Sequence, residues 1–208
     1  MLRIIAVLGC LAVGGCVQSA SPLESGEKVS DPRLIGDWKS DLDGDPMIAT
    51  IRQDADGKLV ADVQAYWEPG PKAATEHYEI VLARFGEQRY ASYRNTRLSP
   101  DYAIASYVFE GKDRFCLHAA STQQLAADLE AGKLPGRVEK DRHMSTLVLG
   151  ATPDQLRSYF AEHGISAFDE HPVMAFERVS STVLPPPPSR QERDAGPPGF
   201  NEVRPCRP

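Results

Sequence analysis

Several things are scarce in this 208-residue chain, and each scarcity removes a class of function. Positive charge is outnumbered: 23 Lys and Arg face 29 Asp and Glu, a formal net charge of −6, which disfavours a nucleic-acid partner. No apolar run approaches the roughly 20 residues a membrane-spanning helix requires. A Gly-x-Ser-x-Gly elbow, a phosphate loop and a dinucleotide fingerprint are all missing. The five histidines, at 77, 118, 143, 163 and 171, fall at no metal-ligand spacing. Asp41-Leu42-Asp43-Gly44-Asp45 is acidic, but Pro46 and Arg52 occupy the positions where a calcium loop needs glycine and a bidentate glutamate. Neither a metal nor any other cofactor is expected, and no enzyme activity. Cys116 and His118 share a strand face, but with no acidic orienter nearby they read as structural.

Cysteine is scarce too, with four in all, and the first two fall in a leader. Arg3 supplies a positive start, Ile4 to Val13 a short apolar run, and Gly14-Gly15 a small pair before Cys16. Val13-Gly14-Gly15-Cys16 resembles the lipobox of bacterial lipoproteins. The resemblance implies a signal peptide over 1–15, acylation of Cys16, and a membrane partner reached through that lipid. Val17, where such lipoproteins destined for the inner membrane carry aspartate, implies the outer membrane, with the domain facing the periplasm. Cys116 and Cys206 then remain in a disulfide-permissive compartment. The two readings are a bridge between them, closing the tail onto the domain, or a buried Cys116 and a free tail thiol.

Residues 16–33 lack hydrophobic periodicity and are expected to form a flexible tether. From residue 34 to 180 the chain reads as one mainly β domain. Lys58 to Trp67 sets Leu59, Ala61, Val63, Ala65 and Trp67 on one face, with Asp62 and Gln64 on the other, the period of a strand with one dry side. Strands are predicted over Ile35–Trp38, Met47–Gln53, Tyr78–Phe85, Gln88–Arg94, Tyr102–Glu110 and Arg114–Ala119, joined by turns such as Asp54-Ala55-Asp56-Gly57. A meander of this length best removes its edges by closing into an antiparallel barrel. One short helix is predicted over Thr122–Ala131 and a second from the Thr152-Pro153-Asp154 start to Gly164. Leu134–His143 is expected to be irregular, with strands at Ser145–Leu149 and Val173–Val179. Residues 181–208 form a proline-rich tail whose Pro185–Pro188 run favours stiff polyproline.

Gly36-x-Trp38 in the first strand, Asp101-Tyr102 before a later one, the helix Thr152–Gly164 and Arg178 in the last strand resemble the signatures of lipocalins and the wider calycin barrels. The resemblance implies a calycin-like barrel and a stack of Arg178 on Trp38. It departs at 121–143, where a helix and an irregular stretch are inserted. Trp67, Tyr90, Tyr102, Tyr107 and Phe109 are the candidate ligand-lining residues, since inward aromatics of a small barrel either fill it or line a cavity. Two functions stay open. One is a lipid-anchored envelope protein holding a small apolar ligand. The other is a structural or interaction lipoprotein with a filled barrel, whose tail docks an envelope partner.

Overall fold

In a computed structural model, the structure describes residues 16–42, 45–65, 74–140 and 145–179. The strands are β1 (Cys16–Ser19), β2 (Gly36–Leu42), β3 (Asp45–Gln53), β4 (Leu59–Ala65), β5 (Ala74–Phe85), β6 (Gln88–Asn95), β7 (Ala103–Phe109) and β8 (Arg114–Ala119). They are followed by α1 (Thr122–Glu130), β9 (Gly136–Lys140), β10 (Ser145–Leu149), α2 (Pro153–His163) and β11 (Met174–Arg178). Eight strands close in the order β11-β2-β3-β4-β5-β6-β7-β8, every pair antiparallel. The molecule is thus the expected mainly β, calycin-like barrel with two short helices.

Alternation within each strand divides the side chains between two cores. Trp38, Val63, Tyr78, Tyr107, Phe115 and Phe176 point inward and fill much of the barrel. Residues out of phase with them, Ala83, Tyr90 and Ile104, leave the outer wall and join a second core with Leu125, Leu156 and Phe160 of the helices. This outer wall is dry on both sides, so its strands show less alternation than β4.

The helix α2 follows its local signals. Thr152 accepts from the Gln155 amide and Gln155 reaches back to the Thr152 amide, with Pro153 in the first turn. Gly132 and Gly164 sit at φ +69° and +56° just beyond the two helices, a region that favours glycine.

Two expectations are corrected. The segment 16–33 is no flexible tether: β1 pairs in parallel with β10, and Ser19 exchanges two 2.8 Å backbone hydrogen bonds with Tyr102. Val17, Ser19 and Leu23 are buried, and the Leu23 amide donates to Ser92 Oγ at 2.8 Å. Its few apolar residues are enough because non-local partners already supply the hydrogen bonds. Leu134–His143 is likewise not wholly irregular, since β9 pairs with β10 to complete a separate three-stranded sheet. All five β9 residues are exposed, and Arg137, Glu139 and Lys140 mark it as a charged edge strand, which carries no buried periodicity to read. His143 lies outside the described residues.

Candidate functional site

One end of the barrel is sealed by a turn of helix at Pro32–Leu34 and by the side chains around it. The Leu34 carbonyl accepts from Trp38 Nε1 at 2.7 Å, and Trp38 is fully buried. The Arg178 guanidinium lies 4.2 Å from the Trp38 ring and donates to the carbonyls of Arg33 (2.7 Å) and Ile35 (3.0 Å). Gly36, at φ +136°, has no room for a side chain because Arg178 Nη1 occupies the space a Cβ would take. Beside them Asp31 receives a two-point hydrogen bond from Arg33, whose guanidinium also covers Phe109 at 4.3 Å. Burial alone would raise the Asp31 pKa. The Arg33 hydrogen bonds and charge outweigh it and hold the carboxyl below the usual range.

Above this floor the barrel keeps an apolar cavity of about 140 Å³. Its space comes from small inward side chains: Ala49, Ala61, Ala91, Ala103 and Ala119 stand where larger residues would fill the lumen. Leu34 lines it at the sealed end and Val17 of β1 at the other, so the segment expected to be a tether contributes to its boundary.

Three tyrosines face this space. The Tyr78 hydroxyl donates to the Glu76 carboxylate, and burial followed by that carboxylate raises its pKa strongly. The Tyr107 hydroxyl donates to Asp31 at 3.3 Å and is raised likewise, first by burial and then by the Asp31 charge. Tyr93 has no hydrogen-bond partner among the described residues, and burial pushes its pKa up to about 12. By surface area Tyr93 is only half-buried. Its side chain is among those that line the cavity, and its hydroxyl is not among the fully buried polar atoms.

The predicted lining residues separate accordingly. Tyr107 lines the cavity, and Phe109 faces inward lower down, against Trp38 with ring centroids 6.3 Å apart. Tyr90 and Tyr102 do not line it. Tyr90 is out of phase with the inward residues and packs in the second core against Phe168, centroids 5.4 Å apart. Tyr102 points outward beneath the Arg94 guanidinium at 4.6 Å. Trp67 lies outside the described residues. Tyr78 and Tyr93, not singled out from sequence, were in phase with Ile80 and Ala91 on their strands. What hid Tyr93 was the absence of any local mark telling the lumen face from the equally dry outer face of β6.

Cys116 is buried and disulfide-bonded, so it carries no thiolate to act as a nucleophile. Cys206, the expected partner, lies outside the described residues. His118 Nδ1 lies 3.1 Å from the Asp169 carbonyl. Among the described residues no cluster of His, Cys, Asp and Glu has metal-binding geometry. A second polar centre joins the helices. Asp128, 2% exposed, accepts from Gln124 (2.8 Å) and Tyr159 (2.6 Å) and pairs with Lys133 (2.8 Å). Lys133, Tyr159 and Gln124, in that order, hold its carboxyl far below the usual range.

Comparison of the chain with protein-family models, with curated proteins and with solved structures finds no match to any of them.

Proposed function

We propose that this is a lipid-anchored cell-envelope protein whose barrel binds a small apolar ligand. The observation that carries the reading is the apolar cavity of about 140 Å³ inside a closed eight-stranded wall. An engineered protein cavity of about 150 Å³ lined by aliphatic and aromatic side chains stays dry and takes up benzene. A void of this size therefore favours a compact molecule over a long acyl chain. The anchor is the acylated Cys16 implied by the leader, and the compartment the outer membrane. Val17 lines the cavity and follows Cys16 directly, so acyl chains on Cys16 would attach about 3.8 Å of chain away from a lining residue. That proximity favours a ligand drawn from the membrane.

Two measurements test the parts separately. The full chain, expressed in bacteria with a palmitate analogue, should incorporate the label, and Cys16→Ser should not; label retained in Cys16→Ser overturns the anchor. Native mass spectrometry of the extracted protein should show a bound hydrophobe, or uptake of added toluene. A protein that is empty and takes up no apolar probe overturns the ligand reading and favours the envelope scaffold.

A further inference from the structure

Resting on that ligand-binding reading, we infer that the cavity selects a small neutral molecule carrying one hydrogen-bonding group, which the Tyr93 hydroxyl meets. Two of the three inward tyrosines are already committed, Tyr78 to Glu76 and Tyr107 to Asp31. Of the three, Tyr93 alone has no hydrogen-bond partner among the described residues, and it lines a space otherwise bounded mainly by aliphatic and aromatic carbon. A hydroxyl on an otherwise apolar wall that gains a partner from a ligand makes that ligand preferred over its unsubstituted analogue. A phenol both donates and accepts, so an alcohol, phenol, aldehyde or ketone of about the size of toluene satisfies it.

The charge of the ligand follows from the neighbours. Tyr78 and Tyr93 have ring centroids 6.3 Å apart, and Tyr78 is bonded to Glu76. Glu76 makes no salt bridge among the described residues, so its negative charge is not offset there. At the other end Asp31 is matched by Arg33 and by Arg89 at 3.7 Å, which are thereby engaged. Among the described residues no unengaged cation lines the cavity to compensate a carboxylate, and burying an unpaired charge is strongly unfavourable. Carboxylic acids in their ionised form are therefore excluded.

The test uses the detergent-solubilised full chain and three probes of one shape: toluene, p-cresol and benzoate. Binding is followed by NMR of the protein at one detergent concentration. Partitioning of each probe into micelles then cancels between wild type and variant. The wild-type preference for p-cresol over toluene should exceed that of Tyr93→Phe by about tenfold, the worth of one good hydrogen bond in a dry site. Benzoate should bind weakest to both. Tyr107→Phe, which leaves Tyr93 untouched, should retain the wild-type preference. Equal preference in wild type and Tyr93→Phe, or tight binding of benzoate, overturns the inference while toluene binding leaves the ligand reading standing. Failure of all three probes to bind overturns both.

Discussion

The Arg178 guanidinium lies 4.2 Å from the ring of Trp38, directly paired with it across β11 and β2, and the space for the contact exists because residue 36 is glycine. Three positions separated by up to 142 residues thus make a single seal. Arg178 closes the barrel by joining its last strand to its first and by holding the carbonyls of Arg33 and Ile35.

Removing this seal should be expensive. Arg178→Ala loses a cation–π contact and two hydrogen bonds from a charged donor, an expected destabilisation of about 2–4 kcal/mol. Arg178→Lys should recover little, since a single ammonium cannot reproduce the planar fork. Gly36→Ala should be at least as damaging as Arg178→Lys, because it adds backbone strain to the displacement of Arg178. Urea unfolding checks the order; a wild-type midpoint for Gly36→Ala would refute the role given to the glycine.

Acid should weaken the same end of the barrel through Asp31. Its folded pKa is depressed, so the stability it contributes is fully present above the unfolded value of 3.8 and is lost as pH falls through the lower folded value. Asp31→Asn should therefore lower stability at neutral pH and flatten the acid limb of the stability curve. Parallel acid limbs for wild type and variant would show that Asp31 contributes nothing there.

Filling the cavity should separate binding from folding. Ala91→Leu places a larger side chain in the space beside Tyr93. It should abolish toluene uptake while thermal stability stays within about 1–3 kcal/mol of wild type, the usual cost or gain of a core volume change. Undiminished uptake would place the ligand elsewhere.

The order seen in 16–33 has its own consequence. Limited proteolysis of the folded chain should spare the stretch from Val17 to Leu23, which is paired or packed, and Leu23→Asp should make it cleavable. Rapid cutting of the wild type there would restore the tether expected from sequence.

The helix junction is also testable. Asp128→Ala deprives Tyr159 and Gln124 of their acceptor in a buried place, and should cost about 1–3 kcal/mol. The fastest increase in amide hydrogen exchange should appear in α1 and α2, while the barrel amides change little. A uniform increase across the barrel would instead mean that the helices and barrel unfold together.

Legibility from sequence followed the reach of the signal. β8, β10 and the start of α2 were readable because alternation, turn glycines and the Thr152-Pro153-Asp154 start act over a few residues. The seal was readable as a resemblance, from Gly36, Trp38 and Arg178. β1 and β9 were not, since neither carries a local apolar pattern and each exists because β10 offers it a partner. The lumen face was legible only where one side of a strand was polar, as in β4. Along β6 and β7 both faces are apolar or small, which is why Tyr90 and Tyr102 were expected inside and Tyr93 was not chosen.

Residue order alone determined that this chain is rich in short antiparallel strands on tight turns, because period-two alternation and glycine-bearing turns are local properties. Only the tertiary structure decided that Val17 and Leu34 bound the same cavity, that two inward tyrosines are bonded to carboxylates, and that Tyr93 has no such partner among the described residues. Those facts depend on the stagger of strands around a closed barrel, which brings Asp31 to Tyr107 across 76 positions of chain. Stagger is set by the summed packing of eight strands, and no short stretch of sequence carries it.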